Sequence, residues 1–338
     1  MLGVRFAPVP SGSRAEPCRT EGPDLPGSAL NDVVIRPIGG RDELDLFCSL
    51  PYGLNHELAG DLEAGRRLPG WMWVALRGDR VVARLAWWGR GDGVPYLLDI
   101  LDLAEGEADR VEIGSRLFEA ASAAVLPAGE PPVEWTRYVP PAWRDDPVTR
   151  AGVEDRMEIL ARAGARPLVE RLRLEWRPGT PIAEDDGRLR FREPAGRDEL
   201  VSLMALVLDG TLDAHSIGDL ARMSPEEAAV QQYEDELLSY KSPREWWRVA
   251  TTPDGEPVGF VIPARNNYNP IIAYIGVVPA HRGRGHIDRL LAEGTRVLAA
   301  QDVSRVRAST DLGNVPMARA FARAGYIAFE HEINMTWS

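Results

Sequence analysis

Residues 271–291 read Ile-Ile-Ala-Tyr-Ile-Gly-Val-Val-Pro-Ala-His-Arg-Gly-Arg-Gly-His-Ile-Asp-Arg-Leu-Leu. An apolar run rich in β-branched residues stops at Pro279 and reads as a buried strand. A loop carrying Arg282, Gly283, Arg284 and Gly285 follows. An amphipathic helix then begins, with Ile287, Leu290, Leu291, Val297 and Leu298 on one stripe. Strand, glycine loop and helix start together form a device for holding phosphate. Glycine lets the backbone approach an anion, and the first helical N–H groups lack intrahelical acceptors. The loop lacks the Gly-Lys-Ser/Thr ending of a P-loop and the three-glycine spacing of a dinucleotide-binding turn.

A second segment, residues 306–326, reads as strand, turn, helix and stop. Asn314 is a good N-cap, Pro316 falls in the first helical turn, and Gly325 stands where a glycine ends a helix. Met317, Phe321 and Ala324 share one face.

The run Val-x-Pro-x-x-Arg-Gly-x-Gly resembles the acetyl-CoA-binding segment of the GNAT family of N-acetyltransferases. Residues 306–326 resemble that family's later motif, in which an asparagine opens a helix beside the CoA tail. The resemblance implies a cofactor contact set of Val277, Val278, Arg282, Gly283, Arg284, Gly285, His286, Ile287 and Asn314. The strand edge would meet pantetheine and the loop amides the pyrophosphate, with the N–H near Val277 facing the thioester oxygen. The family usually has Gly or Ala where this chain has Ile287. It often places a proton-donating tyrosine where this chain has Phe321. Tyr274, Asp311 and Tyr326 are therefore the candidate acid and base groups.

The chain of 338 residues is long enough for two domains, and its 44% hydrophobic content suffices for sizeable cores. It also repeats itself. Gly40-Arg-Asp-Glu-Leu44 recurs as Gly196-Arg-Asp-Glu-Leu200, and Ala161-Arg-Ala-Gly164 recurs as Ala322-Arg-Ala-Gly325. Trp176 and Trp337 close the two halves. Between these anchors the same elements recur. Hairpins are expected at Trp73–Leu85 and Trp247–Ile262, and central strands at Pro95–Leu103 and Pro270–Val278. Helices are expected at Val111–Val125 and Ile287–Ala299, early helical segments at Asp42–Leu50 and Asp198–Leu208, and final strands at Leu172–Trp176 and Ile333–Trp337.

The expected organisation is a mobile arm over 1–32, a degenerate GNAT-like domain over 33–176, a linker over 177–186 and an acetyl-CoA-binding domain over 187–338. The fold class is α/β (α+β): two tandem GNAT-like units, each a mixed twisted sheet flanked by helices. In place of the arginine-glycine loop the first half has Glu105, Glu107 and Asp109. These would repel a pyrophosphate, though acids at a helix N-terminus also stabilise it by about 0.3–1 kcal/mol each.

A net charge of −12 argues against nucleic acid as a partner and mildly favours cationic amines. No apolar run is long enough to span a membrane, no signal peptide is evident, and no Cys/His spacing suggests a metal site. With only Cys18 and Cys48, a cytoplasmic protein without a structural disulfide is expected. The resemblance implies acetyl transfer to a primary amine of a small molecule or peptide by direct attack. The rival is a non-catalytic acyl-CoA-binding module. A homodimer is among the assemblies the sequence allows.

Overall fold

The structure is a computed structural model, which describes residues 32–127, 130, 132 and 134–337. Apart from Asp32, the expected N-terminal arm lies outside the described residues, as does Cys18.

Alternating and apolar runs become twelve strands of one sheet, with helices on its faces. The first half contains β1 (Val33–Pro37), α1 (Leu44–Phe47), α2 (Leu58–Glu63), β2 (Met72–Arg77), β3 (Arg80–Gly89), β4 (Pro95–Leu103), α3 (Arg110–Val125), β5 (Glu134–Val139), α4 (Pro147–Arg162) and β6 (Arg166–Trp176). The second contains β7 (Arg190–Arg192), α5 (Arg197–Leu208), α6 (Ala214–Leu220), α7 (Pro225–Asp235), β8 (Arg248–Thr251), β9 (Pro257–Arg265), β10 (Pro270–Val277), α8 (His286–Ala299), β11 (Val306–Asp311), α9 (Val315–Arg323) and β12 (Ile327–Thr336).

Both hairpins form, turning at Gly78 and Gly255, whose positive φ values of 60° and 94° suit glycine. The early helix expected over Asp42–Leu50 is shorter. A 3-10 turn at Arg41–Glu43 leads into the four residues of α1, which end before Pro51. Proline disfavours the helical region for the residue before it.

Strand order is β1-β2-β3-β4-β5-β12-β6-β11-β10-β9-β8-β7. The last strand of each half therefore crosses to the other. β12 pairs antiparallel with β5, and β6 pairs antiparallel with β11. Side-chain alternation makes the exchange a core contact as well as a backbone one. Ile333 and Met335 of β12 pack with Trp87, Trp135 and Leu117 of the first half, while Leu174 and Trp176 of β6 pack with Leu290, Leu298 and Val306 of the second. Each fully buried side chain of this kind contributes about 1.5–3 kcal/mol, so each unit's core is completed by a strand from the other half. The opposite faces of these strands, side by side in the sheet, carry polar residues such as Arg171, Arg173, Glu332 and Asn334. Among the described residues no helix is long and apolar enough to cross a membrane.

Candidate active site

The β-branched run 271–278 forms β10, held on one side by β9 and bulged between Ile272 and Tyr274. On its other side β10 meets the parallel strand β11 at a single register pair, Ile271 with Arg307. Beyond it the strands part, leaving the edge of Tyr274–Val277 without a ladder partner. Val278 N donates to Val258 O at 2.9 Å. By alternation the Val277 amide faces away from β9, toward the open gap.

Gly276 lets α5 lie tightly over this strand. A Cβ there would come within 2.9 Å of Val207, and a Cβ on the facing Gly259 would overlap the Gly276 carbonyl oxygen. The Arg282 side chain locks the arrangement. Its guanidinium donates to Val277 O at 3.0 Å, Asp209 O at 2.6 Å and Val207 O at 2.8 Å. It thus satisfies carbonyls at the end of α5 that have no intrahelical donor, while its backbone N donates to Pro279 O.

Past Arg282 the loop turns through Gly283 (φ 76°) and Gly285 (φ 78°), with open space where side chains would be. Among the described residues, the amides of Gly283, Arg284, Gly285, His286 and Ile287 donate to no protein acceptor. The exposed Arg284 side chain makes no hydrogen bond or ion pair there either. These donors stand at the positive end of α8, where an anion is favoured. His286 is half-buried, its Nδ1 has no partner, and its ring lies 6.1 Å from that of His281. Burial lowers its pKa, helped by His281, Arg188 and Arg284. Ile287 is half-buried in the first turn of α8. Asn314 caps α9, its Oδ1 accepting from Met317 N at 3.3 Å, and Gly325 (φ 79°) ends that helix.

The candidate acid–base residues fall in different surroundings. Tyr274 is half-buried beside the open edge and packs edge-on against Phe260 at 5.1 Å. Its hydroxyl bonds to nothing among the described residues. Burial raises its pKa, as do the nearby carboxylates of Asp213 and Glu236.

Asp311 ends β11, nearly buried. Its Oδ2 accepts from Ala214 N at 2.7 Å, and its Oδ1 lies 3.1 Å from Arg171 Nε. Burial raises its pKa.

Tyr326 lies in the core beneath α8, edge-on to Phe321, with its hydroxyl 2.7 Å from Thr295 Oγ1. The structure thus sets Tyr274 and Asp311 at the diverging strands and Tyr326 among apolar side chains. Tyr326→Phe is expected to lower stability by about 0.5–1.5 kcal/mol, the net worth of one hydrogen bond. Urea denaturation measures that loss, and the pH dependence of turnover should not change. A shifted pH profile would give Tyr326 a chemical role.

Acidic and aromatic residues just before and at the start of the second hairpin hold structure together. Glu227 completes a capping box with Ser224, Glu234 pairs with Arg197 at 2.6 Å, and Trp247 anchors the sheet edge-on to Tyr233. Sequence reasoning missed α6. Asp213 caps it, accepting from Ser216 N at 2.9 Å, and a readable Asp-x-x-Ser spacing marks that cap. The first turn of α6 carries His215, whose Nε2 lies 2.9 Å from Glu134 Oε2 on β5. Glu134 also accepts from Asn334 of β12. This polar face, made by β5, β12, β6, β11 and α6, exists only because the final strands are exchanged.

Residues 214–326 match the acetyltransferase (GNAT) family. The matched stretch lies within the second half. A GCN5-related N-acetyltransferase from Sphaerobacter thermophilus aligns over 92% of this chain and 96% of its own, at 18% identity and a TM-score of 0.57. A glucosamine N-acetyltransferase region of a fungal multi-domain β-N-acetylglucosaminidase aligns over 90% of this chain and 38% of its own, at 13% identity and a TM-score of 0.51. A tandem GNAT protein from the clavulanic acid biosynthesis pathway aligns over 90% of this chain and 98% of its own, at 19% identity and a TM-score of 0.48. No curated protein matches the sequence. The fold is that of tandem GNAT-like units.

The first GNAT-like unit has the same gap, but it is filled. Among the described residues β4 and β5 pair only at Leu97–Glu134 and Leu98–Trp135. Across the gap beyond, Arg156 of α4 donates from Nε to Leu101 O at 2.6 Å and from Nη2 to Asp102 at 3.2 Å. The acids in its loop are also engaged: Glu107 bonds to Arg77 and Arg80, and Asp109 to Arg77 at 3.2 Å. They fasten the β2–β3 hairpin to the start of α3.

Proposed function

We propose that the GNAT domain binds acetyl-CoA in the gap between β10 and β11 and acetylates a primary amine. One observation carries this reading: five unpartnered amides and the unpaired Arg284 stand at the positive end of α8, directly after a strand whose edge is open. The left-handed glycines and the empty space around them fit a pyrophosphate. The open strand edge fits the amide-bearing pantetheine arm. Acetyl-CoA supplies an activated acyl group on a thiolate leaving group. The chain's own groups do the rest. The Val277 amide faces the gap and can donate to a developing oxyanion. Tyr274, whose pKa is raised, keeps its proton at neutral pH and can give it to the departing sulfur. Arg282, through its three carbonyl contacts, holds the strand end in place.

Titration calorimetry with CoA, followed by release of free thiol from acetyl-CoA in the presence of a panel of primary amines, tests the reading. Saturable CoA binding with amine-dependent thiol release is the expected result. Binding without release above hydrolysis would instead make the protein an acyl-CoA-binding module. Tyr274→Phe is expected to lower kcat by roughly 10²-fold, the usual worth of a positioned acid, with CoA affinity unchanged. An unaltered kcat removes Tyr274 from the chemistry.

A further inference from the structure

We propose that His215 is the general base that deprotonates the amine, positioned by Glu134 from the other half of the chain. The proposal rests on the acetyltransferase reading and adds the base and the class of acceptor.

His215 Nε2 is 2.9 Å from Glu134 Oε2, so in the neutral ring the proton sits on Nε2 and the lone pair on Nδ1. That Nδ1 is buried and has no hydrogen-bond partner. Buried polar atoms are rarely left so, and each calls for an explanation. A second one lies nearby: Asn334 Oδ1, on a residue only 2% exposed, also lacks a donor. Its own amide group bonds to Glu134 at 2.5 Å.

The placement is set by α6. Ala214 N donates to Asp311 Oδ2 at the end of β11, which fixes the residue before His215 to the strand that parts from β10. The start of α6 is thereby tied to the end of β11, one of the two strands that bound the gap. The charged groups around the imidazole are Glu134 on β5, Arg171 on β6, Asp213 on α6 and Asp311 on β11, with Glu332 on β12 close to Asn334. The hydrogen bond that His215 donates to Glu134 raises the His215 pKa, against burial.

Three carboxylates against one arginine around the imidazole suit an acceptor that arrives as an alkylammonium, which titrates near ~10.4 and needs a base at neutral pH. Nδ1 takes one ammonium proton, leaving the nitrogen lone pair free, and the imidazolium gives that proton up to bulk water once the product has left. The N–C bond forms as the C–S bond breaks, with the bonding pair on sulfur. The second nitrogen proton replaces the one Tyr274 gives to the thiolate.

Two measurements test this. First, ¹⁵N NMR of the histidine side chains in the protein without CoA should show His215 as the Nε2–H tautomer. Glu134→Gln should lower its pKa, since the raising partner is gone. The Nδ1–H tautomer, or an unmoved pKa, overturns the dyad. Second, thiol release from acetyl-CoA is compared for butylamine, cationic at neutral pH, and hydroxylamine, already neutral. His215→Ala and the closer mimic His215→Asn should lose about 10²-fold or more with butylamine, little with hydroxylamine, and nothing in CoA affinity. In Glu134→Gln the alkaline-going rise of kcat/KM should move to lower pH, following the imidazole. Equal loss with both nucleophiles, at unchanged CoA affinity, overturns the base and leaves the acetyltransferase reading standing. No CoA binding by the unaltered protein removes both.

Discussion

Replacing Gly285 by glutamate is expected to weaken CoA binding by 10²-fold or more while the protein remains folded. Two costs operate there. Gly285 has φ 78°, a region that costs an L-residue about 1–2 kcal/mol. The new carboxylate would also stand among the free amides at the start of α8. Two like charges about 4 Å apart near a protein surface repel by about 4 kcal/mol, and tenfold in affinity is about 1.4 kcal/mol. Gly106, in the corresponding loop of the first half, has φ 80° and the same open surroundings. Gly106→Glu should therefore carry the same backbone cost and leave CoA binding untouched, because Arg156 crosses that unit's gap and Glu107 already pairs with Arg77 and Arg80. Calorimetric CoA affinities read beside the two melting curves decide the matter. An unchanged affinity in Gly285→Glu, with a native melt, would falsify the placement of the pyrophosphate.

The second large effect concerns stability. Asp102, almost wholly buried, binds three arginines: Arg84 at 2.8 Å, Arg137 at 2.7 Å and Arg156 at 3.2 Å. Burial alone would raise its pKa. Arg137, Arg84 and Arg156 overcome that and hold it at about 2. Asp102→Asn leaves the buried guanidiniums without their charge partner, and a change of that kind costs about 3–5 kcal/mol. The urea midpoint should fall accordingly, since the network joins β3, β4, β5 and α4. The pH dependence follows from the depressed pKa. The stabilisation is fully present above the unfolded aspartate value of about 3.9 and is lost as pH falls toward about 2. That portion of the acid sensitivity should be missing in Asp102→Asn. Equal urea midpoints for the two proteins at neutral pH would show that the charge of Asp102 is dispensable.

Much of this architecture was legible in the residues. The alternation and turn glycines of both hairpins, the limits of β4, the capping Asn314 and the stop at Gly325 are local choices, made within a few residues along the chain. The Arg282–Gly285 loop was legible for the same reason: a left-handed turn needs glycine whatever surrounds it. The side-chain roles in and around it were not. Arg282 has the composition of a phosphate ligand, but its guanidinium engages backbone carbonyls of α5, distant in sequence. Tyr326 follows a helix-ending glycine as easily in a core as in a site, and only Thr295 shows which it is.

The sequence by itself determined two similar α/β units and the glycine turn before α8 of the second, because secondary-structure periodicity and glycine conformation are short-range properties. The exchange of β6 and β12, the arginine plug in the first gap, and the meeting of His215 with Glu134 were decided by tertiary structure alone. Strand partners are chosen by which apolar faces can be buried together, over separations of more than a hundred residues. No local pattern carries that choice.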